Sequence, residues 1–538
     1  MARLLENKKK QTIPALAQKE KENVKKDGFF SGFFVLTLSV VIVKIIGLVY
    51  KIPMLGLLGS EGMGYFNSAY EIYALFCVIS TAGLPVAMSV MIAAKGQESA
   101  ESIFKVAMRL FIALGIIGTA IMIAFAVPFA DYLKSDKAAL CIFAIAPTVF
   151  FVCICGAYRG YFQGLGQMLP TAVSQVIEAL GKLLLGLLFA GVAFAHGLDT
   201  SMVAAAGVLG LTLGTAISAL YLALSKKLHR RGEAHKASNR RGVAGELLRA
   251  AIPITLSSAV LSLTKLIDMS MILRRLQTIG YSSEMAFSAY GSYTTLAVPL
   301  FSLAPAIISS VALPLVPALS GAVANKDKQK QMTSVIDALK LTSIIAMPIG
   351  LGMSMFSRQI LDLVFKSDAE AVALACPLLA ILGMSVTMSC YITVENAILQ
   401  AYGKPSLPIC SMAIGAFVKI VLAYVLMGVG SINIMGAPIS TFACDLTINA
   451  INFYHISKRV PQNIPQGEIL VRPFASALLS VAAGRILYMS VSGQLADSVA
   501  TLLSIAFTAV LYVAMCFLLK AVNKDDVKRL PVLNRLVK

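Results

Sequence analysis

The sequence is poor in charge and in the residues that carry enzymatic chemistry. Only 14% of its 538 residues are Asp, Glu, Lys or Arg, where a soluble chain carries about 25%. No glycine-rich turn is followed by Gly-Lys-Ser or Gly-Lys-Thr, and no His-Glu-x-x-His occurs, which removes the phosphate loop and the zinc-protease helix. The four histidines (His196, His229, His235 and His455) fall in polar breaks or near the ends of apolar runs. Nine cysteines lie almost all inside apolar runs, and Cys153 and Cys155 are two apart, so neither a zinc site nor a disulfide framework is indicated. Strands of about 10 alternating residues, the mark of a membrane barrel, are missing. The first 28 residues are polar and basic and carry no cleavable signal, so the first apolar helix is expected to serve as its own insertion signal. No cofactor is expected, and the chain does not read as an enzyme.

What remains is apolar. Hydrophobic residues make up 58% of the chain, the mean hydropathy is +0.80, and runs of about 20 apolar residues alternate with short polar breaks. The pattern predicts an all-α polytopic membrane protein with about 14 transmembrane helices. Acids are scarce, 27 against 46 Lys and Arg. The basic surplus sits in tails and loops beside apolar segments, which argues for membrane topology and against nucleic-acid binding. The longest apolar segment, 284–320, holds Pro299, Pro305, Pro314 and Pro317 and could be two helices. Keeping it as one places most Lys and Arg on the cytoplasmic side, with both termini cytoplasmic.

The chain echoes itself. Gln163, Gly166 and Lys182 recur as Gln400, Gly403 and Lys419, a shift of 237. Ala69, Tyr70, Tyr73, Pro85 and Ser89 recur as Ala289, Tyr290, Tyr293, Pro305 and Ser309, a shift of 220. Two six-helix lobes related by a parallel repeat are expected, 29–225 and 247–457, with a basic cytoplasmic tail at 1–28 and a basic cytoplasmic linker at 226–246. Helices 13 and 14, within 472–521, have no counterpart, and 522–538 form a cytoplasmic tail. The basic loops are expected to attract anionic lipid.

Charges inside apolar helices need a reason, because a Lys or Asp at a helix centre costs about 2.5–3.5 kcal/mol. Lys44 has no acid one turn away, and Lys51 lies just before Pro53, near a helix end where it could snorkel. Glu71, Glu395, Lys419, Asp445 and Arg485 are further such charges. Glu178 with Lys182, and Lys265 with Asp268, are spaced to neutralise each other on one helical face; equally, either pair could face a cavity. For Lys44, Lys419 and Glu395 a water-filled cavity is expected. Lys419 has no acid one turn before it, so Lys44 and Lys419 are the stronger candidates for substrate contact. Bases and acids balance in the interior, so charge alone selects neither an anionic nor a cationic substrate. Pro85 and Pro305 each remove a backbone hydrogen bond and read as matched kinks, and Gln163 sits at a hinge between the fourth and fifth helices.

Lys44-Ile-Ile-Gly47, Tyr50-Lys-Ile-Pro53, Gly59-Ser-Glu-Gly-Met-Gly64 and Ala69-Tyr-Glu-Ile-Tyr73, then Arg159-Gly-Tyr-Phe-Gln-Gly164 with Pro170-Thr-Ala-Val-Ser-Gln175, resemble the stage V sporulation protein B and polysaccharide biosynthesis branch of the multidrug/oligosaccharidyl-lipid/polysaccharide (MOP) exporter superfamily. Lipid II flippases are close relatives. The resemblance covers most of the chain and implies two six-helix lobes, two added helices and a monomer in the bacterial plasma membrane. The implied activity is flipping of an undecaprenyl-pyrophosphate-linked oligosaccharide or peptidoglycan precursor by alternating access. Lys44 then resembles the basic residue of the first helix that lines the central cavity, usually Arg. Lys51 falls one residue from the place of another. Phe76-Cys77-Val78 stands where lipid II flippases carry a further cavity Arg, a departure that favours a lipid-linked glycan in general over lipid II itself. Asp268 resembles an acid that some relatives use for ion coupling, and Asp445 and Glu178 join it as candidates for Na⁺ or H⁺. The alternative is a Na⁺- or H⁺-coupled multidrug exporter of the same superfamily, with Glu71, Asp268, Glu395 and Asp445 as its acids. That class has twelve helices.

Overall fold

A computed structural model describes residues 2–229, 242–366, 368–462 and 464–522. The linker core at 230–241 and the tail from 523 lie outside the described residues, as do the side chains of 1–35. The described residues contain helices and turns and no strand.

Among the described residues, twelve spans are long and apolar enough to cross a membrane. One of them, Leu38–Lys95, has 58 residues. At 1.5 Å per residue that is far more than a hydrocarbon core of about 30 Å can hold. It is broken at Gly59, whose φ of 63° only glycine adopts easily, so α1 (Ala2–Thr81) makes two arms. Helix α8 (Val243–Thr278) adds 36 residues. Counting both arms and α8 gives fourteen long helical segments among the described residues. The proline-rich run does not divide in two: α9 (Ser283–Ser292) passes through a π turn at Tyr293–Ala297 directly into α10 (Val298–Ala324).

Helices α3 (Gln97–Ala124), α5 (Lys137–Gly164), α6 (Met168–Ala195) and α7 (Thr200–His229) pack on one another, and all but α3 also pack extensively on α1. The short α2 (Gly83–Lys95) packs on α5 and α8, and the short α4 (Ala126–Tyr132) caps this group. A second group joins α10, α11 (Lys328–Met355), α13 (Ala369–Ala401), α14 (Ser406–Leu426) and α15 (Gly436–Ser457), with α12 (Ser357–Val364) beside α13. The last pair, α16 (Arg472–Val491) and α17 (Asp497–Leu518), pack on each other; α16 leans on α11 and α17 touches α12.

The sequence echo has a structural counterpart in two matching helix ends. Gly166 N–H donates to the Gln163 carbonyl at 2.9 Å and Gln167 N–H to the Phe162 carbonyl at 2.8 Å. Gly403 donates to Gln400 at 2.9 Å and Lys404 to Leu399 at 3.1 Å. These are paired 5→2 and 6→1 bonds that close a helix on a left-handed residue, and both glycines have that conformation, at φ 75° and 70°. Each turn delivers the chain into a helix carrying the matched lysine, α6 or α14.

The matched prolines behave differently. The helical ladder of α1 stops at Ala82, three residues before Pro85, whose missing N–H would have bonded the Thr81 carbonyl. Around Pro305 the helix is unbroken, and the irregularity appears upstream as the π turn just before Pro299.

The halves meet in a close seam between α1 and α9. A methyl group added at Gly64 would strike the Phe287 carbonyl, and one at Gly291 the Ser60 carbonyl, so only glycine lets these backbones approach. Around them Ser60 and Ser288 share a hydrogen bond of 2.6 Å, Asn67 Nδ2 donates to Thr295 Oγ1 at 2.8 Å, and the Tyr65 and Phe287 rings lie 4.6 Å apart. At the far end α2 meets α8, where Lys95 pairs with Glu246 and a methyl at Gly83 would strike the Ala251 carbonyl. The halves therefore touch at both ends.

Candidate functional site

A cavity of about 380 Å³ opens between α1, α5 and α6 and is lined by Lys44, Tyr50, Tyr70, Arg159, Glu178 and Lys182, among others. Lys44 projects exposed from α1. Arg159, on α5 just before the Gly166 turn, is the hub of a buried network. Its Nη2 pairs with Glu178 Oε2 at 2.8 Å, its Nε donates to Ser174 Oγ at 2.9 Å, and Ser218 Oγ donates to the Ser174 carbonyl at 2.8 Å.

Of the two readings left open for Glu178 and Lys182, the geometry matches the one without an ion pair between them. Arg159 reaches Glu178 from a neighbouring helix and offers a planar fork of donors that lysine lacks. Lys182 turns instead toward aromatic rings, with its Nζ 4.7 Å from the Tyr70 centroid, 5.0 Å from Tyr50 and 5.4 Å from Phe66. No carboxylate lies within ion-pair distance of it among the described residues. A ring face holds an ammonium in place at about 0.5–2 kcal/mol without cancelling its charge.

Lys419 is corrected in the opposite sense. It forms an ion pair with Asp268 of α8, so Asp268 is not neutralised by Lys265 and Lys419 is not free. The second Asp268 oxygen and Asp445 Oδ2 are buried without partners, and Asp268, Tyr293, Lys419 and Ser440 enclose a gap of about 20 Å³. At the position matching Arg159 stands Asn396, and at that of Ser174 stands Ser411. Asn452 bridges them neutrally, Ser411 Oγ to Asn452 Oδ1 at 2.7 Å and Asn452 Nδ2 to Asn396 Oδ1 at 3.0 Å. Equivalent places thus hold a guanidinium–carboxylate ion pair in one half and, in the other, an asparagine–serine network without a cation.

Lys51 does not snorkel; its Nζ donates to the Thr294 carbonyl across the seam at 2.7 Å. Glu71 is half-buried and lies within electrostatic reach of Lys51 and Lys265. Lys265 in turn reaches Lys44, and both are exposed. Glu395 is not in this cavity. It is 2% exposed and lines a separate cavity within the second half, between α11, α13, α15 and the segment that leads into α16. Gln163 sits half-buried at its turn. Sequence reasoning missed the role of Arg159 and the aromatic cage of Tyr50, Phe66 and Tyr70.

The family model described as polysaccharide biosynthesis protein matches residues 29–323, more than half of the chain. The chain belongs to the polysaccharide biosynthesis protein family. A second family model, MatE, matches residues 253–425. Stage V sporulation protein B of Bacillus subtilis (strain 168) is 24% identical over 522 residues, covering 95% of this chain and 99% of that protein. Lipid II flippase MurJ of the same organism is 24% identical over 418 residues, covering 73% and 76%. Among solved structures, lipid II flippase MurJ in an inward closed conformation superposes with a TM-score of 0.69 at 12% identity, over 90% of this chain and 98% of that one. An inward-facing multidrug resistance MATE family transporter of the MOP superfamily gives 0.64 at 17%, over 80% and 98%. The fold is that of the MOP superfamily, and this polysaccharide biosynthesis family member is a multi-pass membrane transporter.

Proposed function

We propose that this transporter flips an undecaprenyl-pyrophosphate-linked oligosaccharide or peptidoglycan precursor across the bacterial plasma membrane by alternating access. The observation that carries the reading is Lys182, an ammonium held by three rings with no ion pair of its own among the described residues, beside Lys44 in the interior cavity. A pyrophosphate cannot enter hydrocarbon without replacing its hydration, and lysine ammoniums supply charge-assisted hydrogen bonds at that point. Lysine is a point charge and not a fork, which suits capture followed by release. With Lys419 tied to Asp268, the head group is expected in the N-terminal half, and Lys44, Lys265 and Lys51 extend the basic surface toward the seam. The excess of basic residues in loops supports cytoplasmic termini, and Asp268 and Asp445 are the groups through which Na⁺ or H⁺ would couple. The transporter is taken to act as a monomer.

The test is flipping of a labelled lipid-linked precursor by the purified protein in liposomes, scored beside dye efflux. Flipping that Lys182→Gln and Lys44→Ala each slow supports the reading. The MatE match over 253–425 favours one second reading, a cation-coupled exporter, for which efflux without flipping would be found.

A further inference from the structure

Glu395 sits in a cavity apart from the one assigned above to the head group. The cavity measures about 280 Å³, near the lower end of small-molecule sites at about 300–1,000 Å³. Its walls are almost wholly apolar, from Met388, Leu446, Phe453 and Leu470. Into this lining projects a carboxyl that is 2% exposed. One side of it is held by the Asn452 amide, and Oε2 has no partner. The neighbouring polar groups are already engaged. Tyr391 Oη bonds Ser343, and Asn449 Nδ2 donates to the carbonyls of Met388 at 3.0 Å and Asp445 at 2.7 Å. No cation of the described chain reaches Glu395, and a buried carboxylate oxygen left unmatched is costly.

We infer that this cavity binds the ammonium head of a zwitterionic aminophospholipid, with Glu395 Oε2 accepting its N–H and the apolar walls taking the adjoining chain. An ammonium supplies the missing charge-assisted donor, and an amphiphile fits a wall that is otherwise greasy. Two further observations select a phospholipid over a small soluble amine. The cavity lies at the end of the second half that carries the Gly403 turn, only about two helical turns from Glu395, and so near one end of the spanning helices. The loop whose two ends line it, at Phe453 and at Ile464, carries Lys458 and Arg459. Lys458 Nζ lies 4.2 Å from the centroid of the exposed Tyr454 ring and donates to its hydroxyl at 2.5 Å, and Arg459 Nη1 donates to the His455 carbonyl at 2.6 Å. On this reading those cations take the phosphate while the acid takes the amine. An anionic lipid, with phosphate and no amine, would leave Glu395 unmatched.

The chain has no tryptophan, so Phe453→Trp puts a single reporter in the cavity wall. The full-length variant in detergent is titrated with short-chain phosphatidylethanolamine, phosphatidylglycerol and benzylammonium. The expected result is a saturable emission change with phosphatidylethanolamine, at least tenfold weaker with phosphatidylglycerol, and weakened at least tenfold by Glu395→Gln. Ala450→Phe, which fills the cavity and keeps the carboxyl, should weaken it as well. Native mass spectrometry of the tryptophan-free parent should show phosphatidylethanolamine retained over phosphatidylglycerol, a readout independent of the reporter. Equal binding of the two lipids, or a Glu395→Gln titration matching the parent, overturns the inference. Response to benzylammonium alone overturns the lipid assignment in favour of a soluble amine. None of these readouts depends on flipping.

Discussion

Lys419 of α14 and Asp268 of α8 form an ion pair within the second half, while Lys182, the matched lysine of the first half, forms none among the described residues. The pair is largely buried, with side chains 18% and 19% exposed. Removing one partner of a fully buried pair costs about 3–5 kcal/mol, and the residual exposure here brings the expectation to about 1–3 kcal/mol. Asp268→Ala should therefore lower the thermal midpoint of the purified protein. The double replacement Asp268→Leu with Lys419→Met should recover most of the loss. A single variant that melts with the wild type would show the pair to be energetically idle.

The aromatic cage around Lys182 makes a separate prediction. Tyr70→Leu removes the nearest ring face and should weaken precursor flipping by roughly threefold to tenfold, the equivalent of about 0.7–1.4 kcal/mol. Stability should be little changed, since the replacement is apolar and Tyr70 is only half-buried. Tyr70→Phe keeps a ring face and should stay close to wild type. If leucine and phenylalanine are equally impaired, the hydroxyl and not the ring holds the lysine.

How much of this was legible in the sequence varies by the range of the interaction. Fourteen apolar segments and the matched turns could be read because hydropathy and the Gln-x-x-Gly spacing are local. The pairing of charges could not. Glu178 lies one turn before Lys182, the favourable order on an isolated helix worth about 0.2–0.5 kcal/mol. Arg159 outcompetes that contact because the Gly166 turn folds α5 back along α6 and brings a guanidinium to the same carboxylate. Lys419 similarly finds its acid 151 residues away. Glu395 looked like a central-cavity residue because a lone acid in an apolar helix signals polar space without saying which. The repeat held one unused clue. Reading Asn396 and Ser411 against Arg159 and Ser174 would have flagged Arg159 as the residue that makes the two halves differ.

The seam between α1 and α9 should open during transport if the halves rock. Ser60 and Ser288 share a hydrogen bond of 2.6 Å, so Ser60→Cys with Ser288→Cys, in a background where the exposed Cys410 is replaced, should crosslink on oxidation. Crosslinked protein should lose flipping, and reduction should restore it. Transport that continues through the crosslink would place the moving contact elsewhere.

The two turn glycines should contribute alike. Alanine is strained at φ 75° and 70°, so Gly166→Ala and Gly403→Ala are each expected to cost about 1–2 kcal/mol. Being far apart in sequence and in separate halves, they should add to within about 0.5 kcal/mol. Unfolding of the single and double variants in detergent measures this directly, and asparagine at either site should be milder.

The central claim is that the lysines of the N-terminal cavity carry the anionic head group. Its most direct test is the flipping rate of a labelled undecaprenyl-pyrophosphate-linked glycan in liposomes, for wild type and for Lys44→Ala combined with Lys182→Gln. The account predicts a loss of at least about tenfold, equivalent to about 1.4 kcal/mol, with an unchanged thermal midpoint. A double variant that folds normally and flips at the wild-type rate would contradict it.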